Sequence, residues 1–153
     1  MPTSFSATRL LAELPRLRRY ARILSESPEY ADDLVEETLA RARRMQGEPY
    51  ALFAPGMRLI ALLRAVNAEK AATGAPREAR ASGPPPSEML ARLYELPLEQ
   101  REIVVLVAVE RLSYAEIATL LQMPVATVVS QLAQAREALR TSASSTQSTP
   151  RAH

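Results

Sequence analysis

Apolar residues recur at spacings of three and four through most of the chain, which predicts helices rather than strands. Leu10, Leu14, Leu17, Ala21 and Leu24 share one face of a first helix, expected from about Thr8 to Ser25. Pro15 falls inside that run, where it either kinks the helix or marks a new start. Ser27-Pro28-Glu29 opens a second helix, because Ser27 can cap and Pro28 suits the first helical position. Leu34, Val35, Thr38, Leu39 and Ala42 form its inward stripe, and Gly47 stops it near Met45. A third helix is expected over roughly Leu59 to Ala72, with Leu59, Leu62, Leu63 and Val66 inward.

The pattern then breaks. Residues 73–87, TGAPREARASGPPPS, are rich in Pro, Gly, Ser and Ala, and Pro84-Pro85-Pro86 cannot continue a helix. This stretch reads as a flexible linker between an N-terminal domain, 1–72, and a second domain, 88–140. Four helices are expected after it: Ser87 to Leu93, Leu98 to Glu110, Ser113 to Leu121 and Val125 to Arg140. β-Branched residues cluster only at 103–109, inside a helical period. The Ser/Thr-rich end, 141–153, has no apolar period and reads as a disordered tail. The fold class is therefore all-α, with two small helical domains and no internal repeat.

Composition narrows the chemistry. The 153 residues contain no Cys and one His, His153, so thiolate or imidazole catalysis and metal binding have almost no material. No metal and no cofactor is expected. Gly47, Gly56, Gly74 and Gly83 are scattered, so there is no Gly-rich phosphate loop, and an enzyme is not expected. The longest apolar run, Ile103 to Val109, has seven residues, far short of a membrane span. The N-terminus has no basic stretch followed by an apolar one, so a cytoplasmic address is expected.

Net charge is +2, but its distribution matters more. Residues 1–72 carry 11 basic and 9 acidic side chains, whereas residues 88–140 carry five basic and seven acidic, a net −2. No segment is a strong basic patch, so affinity dominated by phosphate contacts is not implied.

The segment Leu112 to Arg140 carries the most information. Ser113-Tyr114-Ala115-Glu116 is a capping box, and Ile117, Leu120 and Leu121 form one apolar face. Ala115 and Ala118 are small where a neighbouring helix needs close approach. Gln122-Met123-Pro124 supplies a short turn. Val128, Leu132, Ala135 and Leu139 then follow at intervals of four, three and four, so Val128 and Leu132 should pack on Ile117 and Leu121. Two short helices joined by a tight turn make a helix-turn-helix. Together with LPLEQREIVVLVAVERLSY before it, LSYAEIATLLQMPVATVVSQLAQAREAL resembles the C-terminal, region 4-like promoter-reading domain of sigma-70-family sigma factors, in the extracytoplasmic-function (ECF) group. LPRLRRYARILSESPEYADDLVEETLARA resembles the N-terminal, region 2-like domain of the same group.

The resemblance implies a transcription initiation factor that binds core RNA polymerase and directs it to a promoter. It places polymerase docking, or anti-sigma docking, on Asp32, Asp33, Glu36 and Glu37. Spacing alone reads the same four as a solvated helix face with favourable N-terminal charge. It places DNA contacts on Thr127, Ser130, Gln131, Gln134 and Arg136. The family pattern also implies Lys or Arg at 129, 131 and 134, where this sequence has Val129, Gln131 and Gln134. Gln131 and Gln134 retain the amides that pair with adenine edges. The promoter-melting stretch, PYALFAPGMRLIALLRAVNAEKAATG, has no Trp and only Arg58, Arg64 and Lys70 as cations. Tyr50 and Phe53 read there as packing residues rather than base platforms. DNA binding by the chain alone is therefore expected to be weak. LPRLRRYARILS is also similar to the sigma-like domain of bacterial stress regulators, which mimic a sigma factor, bind its anti-sigma factor and do not read promoters. That mimic is the alternative function.

Limited proteolysis tests the linker. Cleavage should come first near Arg77 or Arg80 and release two folded fragments. Resistance at both sites, with earlier cleavage elsewhere, would count against a boundary there.

Overall fold

The computed structural model describes residues 7–45, 53, 55–74 and 87–147. Among them are seven helices and no strand: α1 Ala7–Leu24, α2 Pro28–Arg44, α3 Pro55–Ala72, α4 Glu88–Glu95, α5 Leu98–Ala108, α6 Tyr114–Leu121 and α7 Val125–Gln147. The chain forms two compact units that divide between Gly83 and Pro84, within the predicted linker. Most of that linker, residues 75–86, lies outside the described residues, as do Tyr50 and the end of the predicted tail.

In the first unit α1, α2 and α3 pack pairwise into a three-helix bundle. Leu10, Leu17, Ala21 and Leu24 are buried as predicted, with Tyr20 and Ile23 beside them, whereas Leu14 is only half-buried. Pro15 neither ends nor restarts α1. Pro15 and Leu11 are both exposed, so the Leu11 carbonyl that loses its amide donor lies on the solvent side. The Ser27 hydroxyl caps α2 by accepting from the Tyr30 amide at 3.2 Å. α2 buries Ala31, Leu34, Val35, Thr38 and Ala42, with Leu39 half-buried.

α3 departs from prediction. It begins at Pro55, four residues before Leu59, and it is buried on more than a stripe. Met57, Leu59, Ile60, Ala61, Leu62, Leu63, Val66 and Asn67 are all inside. Its apolar face is wider than one stripe, while Ala68 and Glu69 stay exposed and Arg58, Arg64 and Lys70 are half-buried. Its one deeply placed amide is matched, with the Tyr30 hydroxyl donating to Asn67 Oδ1 at 2.7 Å.

In the second unit α5 packs on α4, α6 and α7, while α6 and α4 also contact α7. The Ser87 hydroxyl caps α4 by accepting from the Leu90 amide at 3.1 Å. The other end of α4 is held by Arg101 of α5, which is 8% exposed. Its Nε donates to the Leu93 carbonyl at 3.0 Å, and one terminal nitrogen donates to the Tyr94 and Leu96 carbonyls at 3.2 and 3.1 Å. The guanidinium also lies 5.1 Å from the centre of the Tyr94 ring. One cation thus satisfies the carbonyls that α4 leaves open.

The helix-turn-helix forms as predicted. Ser113 Oγ accepts from the Glu116 amide at 3.1 Å. Gln122 adopts the left-handed conformation, φ 55°, and the Met123 amide returns to the Ala118 carbonyl at 3.0 Å. Arg111, also at φ 55°, turns the chain between α5 and α6. α5 ends at Ala108 rather than Glu110, because the turn starts there. Ile117, Ala118 and Leu120 of α6 and Val128, Leu132 and Ala135 of α7 are buried. Leu121 and Leu139 are half-buried, and Ala115 is exposed and admits no neighbouring helix. α7 does not end at Arg140 but runs on through Gln147, so residues 141–147 are helical rather than a disordered tail. Repeated side-chain bonds to the preceding turn accompany that extension: Thr141 Oγ1 donates to the Glu137 carbonyl at 2.9 Å and Ser144 Oγ to the Arg140 carbonyl at 3.2 Å.

Leu132, 3% exposed, tests this packing. Leu132→Ala should lower stability by about 2–5 kcal/mol, the range for truncating a buried Leu. Val129→Ala, on the exposed side of the same helix, should change it by less than about 0.5 kcal/mol. Urea denaturation of the full chain checks both, and similar losses at the two positions would mean the inward face is misassigned.

Candidate functional site

Two surfaces carry the side chains singled out from the sequence. The first is the outer face of α2. Asp32, Asp33 and Glu36 are exposed there, with exposed Glu29 one turn earlier. Glu37 separates from them. It is half-buried and lies 3.6 Å from Arg41 and 3.8 Å from Arg44. Arg41 also donates to Glu69 of α3 at 2.6 Å, and this bond is the largest cause of a guanidinium pKa held above its ordinary value. Glu37 therefore belongs to a basic cluster that fastens α2 to α3, and the acidic surface consists of the other three with Glu29.

The second surface is α7 with the start of α6. The inward stripe of Val128, Leu132 and Ala135 fixes the rotation of α7. Val125, Ala126, Val129, Ser130, Ala133, Arg136 and Glu137 are then exposed. Val125 and Val129 are each 45% exposed, and Tyr114 on α6 is 39% exposed. One-turn spacing places Val125 beside Val129, and Ser130 and Glu137 lie opposite the buried stripe. Glu137 accepts an ion-paired hydrogen bond from Arg140, which lowers its carboxyl pKa and raises that of the arginine. The outward face thus begins apolar and ends in a neutralised pair, with Arg136 beside it.

The predicted DNA-contact residues do not act as one set. Ser130, Gln134 and Arg136 are exposed, while Thr127 and Gln131 are half-buried. Gln131 points toward α5 rather than outward. Gln100 Nε2 donates to Gln131 Oε1 at 3.0 Å and to Gln134 Oε1 at 3.3 Å. A bidentate contact to adenine needs both the oxygen and the NH₂ of an amide. Gln100 engages one lone pair of each oxygen and so orients both amides, Gln131 more firmly than the exposed Gln134. Sequence reasoning missed Gln100 because its partners are 31 and 34 residues away, and only helix packing brings them together.

In the stretch before α3's core, Phe53 is half-buried and its carbonyl accepts from Arg58 Nε at 3.0 Å. Arg58 is thereby tied to local backbone. Among the described residues no group of three or more His, Cys, Asp or Glu side chains is placed to hold a metal ion. No described helix is long and apolar enough to cross a membrane.

Comparison with known proteins sets these surfaces in context. Residues 87–139 match the family described as sigma-70, region 4, and residues 10–48 match the sigma2 domain of PhyR. The chain is 32% identical over 149 residues to the ECF RNA polymerase sigma factor EcfG of Rhodopseudomonas palustris (strain TIE-1), a match covering 85% of this chain and 80% of that protein. Among solved structures it is similar to the sigma factor RpoE in its complex with the anti-sigma factor NepR from Bartonella quintana. That likeness has a TM-score of 0.73 at 24% identity, covers 87% of this chain and 92% of the other, and bears on the fold alone. It is also similar to the PhyRSL–NepR complex from Sphingomonas sp. Fr1, with a TM-score of 0.72 at 25% identity over 88% of this chain and 86% of that one.

The composition of the α7 face sets a salt dependence. With Arg136 exposed and Arg140 paired to Glu137, one or two phosphate contacts remain for this helix. Duplex DNA titrated with the isolated chain should show log affinity falling against log salt with a slope between about −1 and −2. Val129→Lys, Ser130→Arg and Gln134→Arg together should steepen it by roughly 3. A steep slope in the unmodified chain would locate DNA contacts elsewhere.

Proposed function

Because this chain belongs to the ECF sigma-factor family, we propose that it works as a sigma-like mimic: it binds a NepR-type anti-sigma factor in the cytoplasm and does not read promoters. It is a binding protein in this reading, and sigma factors are not an enzyme class. The observation that carries the reading is the outer face of α7. Val125, Ala126, Val129, Ser130 and Ala133 are exposed where a promoter-reading helix needs cations, and Gln131 and Gln134 are held by Gln100. An exposed, largely uncharged and apolar strip suits a polypeptide surface better than a phosphate backbone. The net −2 of residues 88–140 acts in the same direction. The match to the sigma2 domain of PhyR and the likeness to PhyRSL support this reading, whereas binding to NepR is common to both, since the sigma factor RpoE is also seen with NepR.

A second reading has its own observation. Asp32, Asp33 and Glu36 form an exposed acidic stripe on α2, at positions where the family resemblance puts polymerase or anti-sigma docking. Together with the likeness to EcfG, this favours an initiation factor that binds core RNA polymerase and reaches promoter DNA within that complex.

Binding measurements on the full chain separate the two. A mimic should bind a purified NepR-type anti-sigma factor, leave core polymerase unbound and give no promoter-specific transcript. Val129→Glu should weaken anti-sigma binding by about tenfold or more, since it places a charge in the apolar strip. A promoter-specific transcript from this chain with core polymerase, lost on Asp32→Ala with Asp33→Ala, would overturn the mimic and establish the initiation factor.

A further inference from the structure

The outward faces of α1 and α2 carry opposite charge. On α1, Leu11, Pro15, Arg18 and Arg22 follow at intervals of four, three and four, and all are exposed, with exposed Arg19 beside them. Leu11 is 68% exposed. The one carboxylate within this helix, Glu13, is half-buried and lies 3.6 Å from Arg16, which is half-buried too. Exposed Glu26 comes only after the helix has ended. On α2, Glu29, Asp32, Asp33 and Glu36 share the solvent side. The two stripes belong to helices that pack together and are joined by three residues, yet they do not neutralise one another. Among the described residues no ion pair or hydrogen bond engages the side chains of Arg18, Asp32, Asp33 or Glu36.

We propose that this two-signed surface pairs two copies of the chain, the arginine stripe of α1 in each lying on the carboxylate stripe of α2 in the other. The occupant follows from having both signs on adjacent helices. The axes of packed helices lie roughly 8–10 Å apart, close to the distance of about 8 Å over which charge acts at physiological salt. A phosphate backbone drawn to Arg18, Arg19 and Arg22 is therefore repelled by α2, and a basic segment drawn to Asp32, Asp33 and Glu36 is repelled by α1. A second copy offers the opposite sign at both places. Both stripes sit on one unit, so a two-fold pairing makes each contact twice and closes, which limits the assembly to a dimer. Leu11 and Pro15 lie on the same stripe as Arg18 and Arg22, so the contact also takes apolar surface out of water. Exposed ion pairs are individually weak, so the dimer is weak and salt-sensitive. It covers the acidic stripe, and a partner that docks there must displace the second copy.

Sedimentation equilibrium of the full chain, alone and over a range of concentrations, tests this. At low salt the weight-average mass should rise with concentration from that of one chain toward that of two. At about 1 M salt, where charge acts over only about 3 Å, it should stay at one. Arg18→Glu with Arg22→Glu should weaken pairing by about tenfold or more, since it sets like charges face to face. Asp32→Arg with Asp33→Arg should do the same. Mixed in equal amounts, the two variants should restore the dimer, because each reversed stripe then meets its opposite on the other chain. A damaged fold gives no such recovery, and melting temperatures near the parent's check that both variants are folded. A parent that stays monomeric at low salt would overturn the proposal, as would masses beyond two chains or variants that do not recover on mixing. So would a monomer whose affinity for duplex DNA falls on Arg18→Glu with Arg22→Glu, which would make α1 a phosphate-binding face.

Discussion

Burial of one helix over a wide apolar face is the constraint on which each unit depends. α3 has that place in the first unit and α5 in the second. With no Trp, no Cys and few aromatic residues, aliphatic side chains must supply most of the packing, and a central helix maximises the area they cover. A helix placed there cannot leave a polar group unpartnered. Asn67 on α3 meets the Tyr30 hydroxyl, and Arg101 on α5 meets three carbonyls and the face of Tyr94. Among the described residues no buried side-chain nitrogen or oxygen lacks a partner. Arg101 thus does what water would do at an exposed helix end, and it locks α4 onto α5 in doing so.

The surfaces follow from that packing. Once Val128, Leu132 and Ala135 are committed to the core, the rotation of α7 is fixed and so is what it shows to solvent. A strip with Val125 and Val129 comes to the outside, while two glutamines turn partly back to α5. In the first unit α2 sends Leu34, Val35 and Thr38 inward and so presents Asp32, Asp33 and Glu36 outward. The two surfaces consequently offer different chemistry, acidic on the outer face of α2 and largely uncharged at the start of α7.

Residues 141–147 lack an apolar stripe, and their helix is supported by hydroxyl-to-carbonyl bonds within the turn before. Carrying the helix past Arg140 brings the Ser142 hydroxyl to 3.5 Å from Glu95 of α4.

The sequence by itself determined the number and order of the helices, the capping serines at 27 and 113, the turn at Gln122 and the inward stripe of α7. Each of these depends on residues within one or two turns of one another, so local spacing and side-chain chemistry suffice. It also determined the charge deficit of residues 88–140, which is a matter of composition. Tertiary structure decided what depends on distant partners. It buried α3 over more than its predicted stripe, set Arg101 as the cap of α4, and drew Glu37 into a cluster with Arg41 and Arg44 and away from the acidic surface. It turned Gln131 and Gln134 toward Gln100, so two apparent base-reading amides became a helix-packing contact. The length of α7 was not legible either, because a Ser/Thr-rich stretch has no apolar period to read. Periodicity reports which face of a helix is covered, whereas only the packed neighbours decide which atoms a polar side chain has left to offer.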